Sequence, residues 1–252
     1  MQLPVFLITV LVFLSNLLPP IVMRHDVDES EYIELAEKYA GSVVNLSAGN
    51  GTFIQDNVII TAAHVADYID MDNPVFVDGA EYPIQDIIIH PEFDMTRSID
   101  NDIAILILEE SVPDIEIAKL YSGQNELGKD IIFAGTGWAG TGDIGMIDGS
   151  IIKDNVMRAA QNRVDGITEN GFIRFTFDEP GSEDALPLEG ISGPGDSGGP
   201  ALWFDGDQPY LIGVSSHQNG RGLQRPQGVY GVYEYYTRIS EYKDWIREEI
   251  EN

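Results

Sequence analysis

Three polar residues of this chain stand in segments that suit them to acyl chemistry. Ser197 lies in Gly195-Asp196-Ser197-Gly198-Gly199-Pro200, His64 ends Thr61-Ala62-Ala63-His64, and Asp102 follows Asn101 and opens an apolar run. Glycines around a serine permit a tight turn from which backbone N–H groups can point at a bound carbonyl, and they leave room for a substrate. A serine hydroxyl is a weak nucleophile until an adjacent base takes its proton. Imidazole titrates near neutrality, so His64 can accept that proton and pass it to a leaving amine. Asp102 would accept the other imidazole N–H, set the tautomer and stabilise the imidazolium. The N–H groups of Gly195 and Ser197 would form an oxyanion hole, in which one donor is commonly worth about 3 kcal/mol. His, then Asp, then Ser is one of the chain orders in which such a triad occurs. Taken singly, each residue has a plainer reading. Ser197 suits a surface turn, His64 a packed core, and Asp102 a turn cap, with Asp94 and Asp100 as rival carboxylates. The ordered set is what points to hydrolysis of an acyl bond.

With these segments the chain resembles the chymotrypsin/trypsin-type serine proteases from about Ile21 onward. Further matches are His90-Pro91-Glu92-Phe93-Asp94, Gly213-Val214-Ser215-Ser216, and Tyr236-Thr237-Arg238-Ile239-Ser240 followed by Tyr242 and Trp245-Ile246. The resemblance implies an all-β fold: two six-stranded antiparallel β-barrels, the active site in the cleft between them, and a C-terminal α-helix. Residues 21–252 would form the protease domain. Its first barrel, about 43–120, would carry His64 and Asp102; its second, about 121–239, would carry Ser197; the helix would span 241–250. The implied activity is a serine endopeptidase that cleaves protein or peptide substrates through an acyl-enzyme, with no cofactor. Ile191, six residues before the serine, would lie at the base of the substrate pocket, where an Asp would select Lys or Arg. Ser216, His217 and Gln218 would line the pocket edge, and Glu234 stands where a pocket glycine is common. Two pockets are compatible with this set: one that takes Lys or Arg through Glu234, and one that takes a moderate apolar residue against Ile191. Asp196 would pair with the freed amine of Ile21, although Met23-Arg24 stand where the family usually has two glycines.

The formal charge is −28, from 42 acidic and 14 basic side chains. That balance opposes nucleic acid as a partner and disfavours anionic membrane surfaces. The acidic residues are spread along the chain, which suits a solvated, self-repelling surface better than a Ca²⁺ loop. Asp67, Asp70 and Asp72 are the best cation candidate, and no metal is expected. The chain has no cysteine. Val65 follows His64 where the family commonly has a cysteine; the resemblance is to a secreted bacterial-like variant without disulfides, whose core would be held by packing alone, and thiolate chemistry is excluded. Residues 3–18 are almost wholly apolar and end at Pro19-Pro20. They resemble the apolar part of a secretory signal. Residues 1–20 are therefore expected to be a leader, giving a secreted or periplasmic protein with no stable membrane association after cleavage. The alternative is an uncleaved anchor, because the uncharged stretch reaches Met23, near the ~20 residues of a spanning helix.

The elements that must position these groups show in the hydrophobic pattern. Tyr32, Leu35, Ala36 and Tyr39 recur at helical spacing and predict a helix over 28–40, capped by Asp28 or Ser30 and ended by Gly41. Short β-rich runs follow at 43–46, 58–61, 84–89, 103–108, 131–134, 172–177 and 211–215. Many short strands between turn residues indicate an all-β barrel or sandwich. A last helix is expected over 241–250, capped by Ser240 and docked through Tyr242, Trp245 and Ile246. Gly135-Thr136-Gly137-Trp138-Ala139-Gly140 has dinucleotide glycine spacing, but Thr141-Gly142-Asp143-Ile144-Gly145 cannot open the helix that would hold a pyrophosphate. A loop near the cleft is expected there. His90 reads as structural, and His25 has no assigned role.

Overall fold

The computed structural model describes residues 21–146, 154–219 and 227–251. The expected leader, residues 1–20, lies outside the described residues. The elements begin with β1 (Ile21–Met23), α1 (Glu29–Tyr39), β2 (Val43–Asn45), β3 (Asn50–Gln55), β4 (Val58–Thr61), α2 (Ala63–Ala66), β5 (Val75–Val77), β6 (Ala80–Tyr82), β7 (Ile84–Ile89) and β8 (Ala104–Leu108). Next come β9 (Lys119–Leu120), β10 (Asp130–Gly135), β11 (Ala139–Thr141), β12 (Arg158–Arg163), β13 (Gly166–Ile167) and β14 (Phe172–Thr176). The chain continues with β15 (Gly190–Ile191), β16 (Pro200–Asp205), β17 (Gln208–Gln218), β18 (Tyr233–Arg238) and α3 (Ile239–Glu251).

Two curled sheets dominate. The first has five strands in the order β2-β3-β4-β8-β7; the second has eight, β12-β10-β16-β17-β18-β14-β13, with β9 beside β17. β1 lies between β11 and β15. A mostly β chain with few helices and a C-terminal helix is the architecture of the trypsin-like double β-barrel.

The first sheet is built from β-branched and aliphatic runs, which favour a pleated, buried surface. Ile59, Leu106 and Leu108 pack with Phe53 and Val44 on one side. Their neighbours Ile60, Ile103 and Ile105 face the opposite way, against Val214, Ile239 and Ile246. This second cluster joins both sheets to α3, so apolar burial fixes the cleft between them. Each fully buried side chain of this size contributes roughly 1.5–3 kcal/mol. A third cluster fills the second sheet with Phe133, Phe175, Ile212 and Tyr236, and the whole of β1 is sunk into it.

Of the two expected helices, α3 departs from expectation at its start, and the short α2 is not among them. Asp28 caps α1 by accepting the Ser30 N–H at 2.9 Å, and Tyr32 and Ala36 are its buried residues. Arg158, nearly fully buried, pairs with Glu29 of α1 and with Asp154. Ser240 is not a cap. α3 already starts at Ile239, and the Ser240 hydroxyl donates to buried Glu126 at 2.6 Å. Arg238 pairs with the same carboxylate at 2.9 Å. Burial of Ile239 and this shared acceptor draw the first turn back ahead of the serine.

The glycine-spaced segment 135–140 runs from the end of β10 into β11 without a helix. Gly137 is required for close approach, since a Cβ there would overlap the Asp196 backbone nitrogen. Among the described residues no group of three or more acidic, His or Cys side chains is placed to hold a metal. Asp70 instead accepts the Asp72 N–H at 3.1 Å in a turn. Among the described residues, too, no helix is long and apolar enough to cross a membrane.

Candidate active site

β4 ends at Thr61, whose hydroxyl donates to the Asn50 carbonyl at 2.7 Å, and the single turn of α2 carries His64 directly after it. Asn101, at φ 58°, turns the chain immediately before β8 and leaves Asp102 fully buried. Oδ1 of Asp102 accepts the His64 backbone N–H at 2.9 Å. Oδ2 lies 2.8 Å from His64 Nδ1 and accepts the Ser216 hydroxyl at 2.6 Å. Thr237 anchors the same residue by donating its hydroxyl to the Asp102 carbonyl at 2.8 Å. A carboxylate can only accept, so His64 Nδ1 carries a hydrogen and a neutral ring presents a lone pair at Nε2. The rival carboxylates are engaged elsewhere: Asp94 with Thr96 and Arg97, Asp100 with Asn170.

The serine turn is tied to both sheets. Asn50 donates its N–H to the Ser197 carbonyl at 2.8 Å, and its side-chain amide donates to the Gly195 carbonyl at 2.9 Å. Gly198 N–H reaches the Ser215 carbonyl at 2.8 Å. Gly195 adopts φ 95° and Gly198 φ 78°, a region that glycine enters without steric penalty. The intervening amides of Gly195 and Ser197 have no acceptor within the chain among the described residues. They are free to serve as donors to a ligand.

Beside Ser197 opens a cavity of about 470 Å³, lined by residues 192–195, 215–218 and Glu234. Glu234 is its buried acidic group. It accepts the Ser192 N–H at 2.9 Å and the Ser192 hydroxyl, with Gln218 Nε2 at 3.4 Å. Burial pushes its pKa up to about 8. Gln218 Oε1 is buried without a hydrogen-bond partner among the described residues. The cavity therefore offers acceptors rather than an apolar floor. Ile191 corrects the expectation for the pocket base. It is fully buried in β15, pairs with Val22 and belongs to the core of the second sheet. Side chains alternate along an extended chain, so its neighbour Ser192 faces the cavity instead.

Asp196 sits on the other side of the serine turn, fully buried. Its carboxylate accepts N–H groups from Gly137 and Gly193, each at 2.7 Å, and from Ile21. Burial pushes its pKa up to about 7 against those donors. Ile21 itself has φ 68°. His217 lies flat on Tyr235, with ring centroids 4.8 Å apart and planes 8° apart, and Phe172 meets it edge-on at 5.1 Å. His90 packs against Tyr242 and Trp245 in the protein body. His25 meets the Tyr230 hydroxyl at 2.8 Å.

Sequence reasoning did not identify Asn50, Ser192 and Thr237 as supports of this site, and it gave Ser216 only a place on the pocket edge. For Ser192 a signal existed, as the residue beside Ile191 in an extended segment. The contacts of Asn50, Ser216 and Thr237 cross from one sheet to the other and leave no local trace.

The trypsin family profile matches residues 33–246. A trypsin of Phaedon cochleariae is 29% identical over 221 residues, covering 80% of this chain and 78% of that protein. Trypsin Tyr p 3.0101 of Tyrophagus putrescentiae is 29% identical over 220 residues, covering 78% and 70%. The CLIP domain-containing serine protease B15 of Anopheles gambiae is 27% identical over 238 residues, covering 78% and 59%.

Proposed function

Since the chain belongs to the trypsin family and is a serine endopeptidase, we propose that Ser197, His64 and Asp102 hydrolyse its protein or peptide substrates through an acyl-enzyme. Ser197 Oγ attacks the scissile carbonyl carbon while His64 Nε2 takes the hydroxyl proton. The resulting oxyanion lies against the amides of Gly195 and Ser197, which need not reorganise to receive it. Collapse breaks the C–N bond as His64 returns the proton to the leaving amine. A water molecule, deprotonated by His64 in turn, then releases the acyl group as acid. The observation that carries this reading is the buried Asp102 carboxylate, which holds both the backbone and the ring of His64.

The test is labelling of the mature protein with a serine-directed phosphonate, beside digestion of a peptide library. The expected outcome is covalent labelling and cleavage, both lost in Ser197→Ala. An unlabelled wild type, or labelling that survives in Ser197→Ala, overturns the assignment.

The pocket supports Lys or Arg at the residue that supplies the acyl group. Glu234 and the unpartnered Gln218 Oε1 offer acceptors to a cationic end, while Ile191 is withdrawn into the core. Activation by a cut before Ile21 fits the surroundings of Asp196. A β-branched residue within a chain rarely adopts φ near 68°. A free N-terminus has no such constraint, and its ammonium would offset the burial of the Asp196 charge. Residues 1–20 would be the leader of a secreted or periplasmic enzyme whose protease domain spans 21–252, with barrels at about 43–120 and 121–239. A fully active enzyme whose N-terminus lies several residues from Ile21 contradicts the activation step.

A further inference from the structure

A second imidazole stands one residue from the hydroxyl that shares Asp102. His217 Nδ1 lies 3.2 Å from Ser216 Oγ. Ser216 Oγ lies 2.6 Å from Asp102 Oδ2, which also meets His64 Nδ1 at 2.8 Å. We infer that His217 is a positioning residue of the triad, whose Nδ1–H holds the Ser216 hydroxyl with its proton on Asp102. The inference rests on the Ser197, His64 and Asp102 reading above.

Hydrogen-bond accounting fixes the direction of each donor. The Asp102 carboxylate can only accept, so the single Ser216 proton points to it. Ser216 Oγ then has only lone pairs left for His217, and the His217 hydrogen must sit on Nδ1. The opposite tautomer would present a lone pair at Nδ1 and draw the Ser216 proton away from Asp102. Asp102 would lose a charge-assisted bond, a kind roughly twice as strong as a neutral one. Two rings hold its orientation: Tyr235 of β18 lies flat against it and Phe172 of β14 meets it at 89°.

Burial keeps His217 in the required state against the carboxylates around it. Asp102 and Asp100, on the loop before β8, favour its cation; His64 of α2 disfavours it; Tyr235 and Phe172 are uncharged. Burial is the largest influence and holds its pKa below the ordinary histidine value. The ring is therefore neutral at pH 7 and above. A protonated His217 would also oppose the imidazolium that His64 must become during the reaction.

The test uses two complementary variants of the full mature chain. His217→Phe keeps an aromatic ring on Tyr235 and loses the donor. His217→Asn loses the ring and restores an N–H close to the Nδ1 position. For a short ester substrate, kcat of His217→Phe is expected to fall about fivefold to tenfold, with KM changed less than about twofold, as for loss of one oriented hydrogen bond. His217→Asn is expected to recover most of that kcat. The low-field proton resonance of His64 Nδ1–H should shift in the Phe variant and return toward wild type in the Asn variant. Unchanged kcat in His217→Phe, or equal losses in both variants, overturns the positioning role. Phosphonate labelling of wild type separates the two readings. If the wild type labels and the variants show equal kcat, only the role of His217 falls; if the wild type does not label, the triad reading falls and takes this inference with it.

Discussion

The sheet that carries His64 and Asp102 and the sheet that carries Ser197 bury different kinds of side chain. In the first, the core is Val, Ile and Leu with Phe53, and among the described residues Asp102 is its one fully buried acid or base. The second buries Phe and Tyr rings together with Glu126, Arg158, Glu189, Asp196 and Glu234. Asp102, Glu189, Asp196 and Glu234 each accept donors on both carboxylate oxygens. Glu189, Asp196 and Glu234 have pKa values that burial has pushed to about 8, 7 and 8. A buried acid raised in this way keeps a proton in the native state that the unfolded chain has already lost. Its contribution therefore falls as pH rises from the ordinary carboxylate value through the raised one, here from about 4 to about 8. The first sheet is an apolar scaffold around a single fully buried carboxylate among the described residues. The second buries carboxylates that weaken the fold toward alkaline pH.

The largest expected effect tests whether the two halves act as one machine. His64→Ala, from the first, and Ser197→Ala, from the second, should each lower kcat by about 10⁴-fold or more, and the double variant should be little worse than either. Losses that multiply in the double variant would mean independent contributions. Next in size is the apolar scaffold. Leu106→Ala should cost about 2–5 kcal/mol in urea unfolding, equally at pH 5 and pH 8, because no titrating group is involved. A clear pH dependence of that loss would break the contrast. Third is the pocket acid. Above pH 8, where Glu234 is ionised, Glu234→Gln should lower kcat/KM for Lys and Arg esters by about 100-fold and leave apolar ones much less affected, as expected for losing one buried charge pair. An unchanged profile would remove Glu234 from specificity. The smallest effect is on stability. Wild type should lose stability between pH 5 and pH 8, and Glu234→Gln should lose less over that window, read from urea midpoints. The same slope in both proteins would show that Glu234 does not titrate there.

Much of this was legible in the chain. The runs at 58–61, 84–89 and 103–108 become strands β4, β7 and β8 with little change of boundary. Asp28 and the spacing of Tyr32 and Ala36 announce α1, because capping and helical periodicity are local properties. His64 and Asp102 could be named from their neighbours alone, and their side chains meet at 2.8 Å. Ser240 misled for a local reason: a serine before a helical pattern reads as a cap, while the buried partner that recruits it, Glu126, lies 114 residues away. Ile191 misled by one residue, since pairing with Val22 decides which of two neighbours faces inward. The Arg158 pair with Glu29 spans 129 residues and has no sequence signal at all.

The sequence by itself determined a mostly β chain without cysteine, strongly acidic, with a histidine, an aspartate and a glycine-flanked serine in a telling order. Those properties follow from residue type and short-range spacing. Only the tertiary structure decided that Ser216 shares Asp102, that Ser192 rather than Ile191 lines the cavity, and that Asn50 ties the serine turn to the first sheet. Desolvation and hydrogen-bond partners come into being when the two sheets close on each other, and no local pattern can report them before that happens.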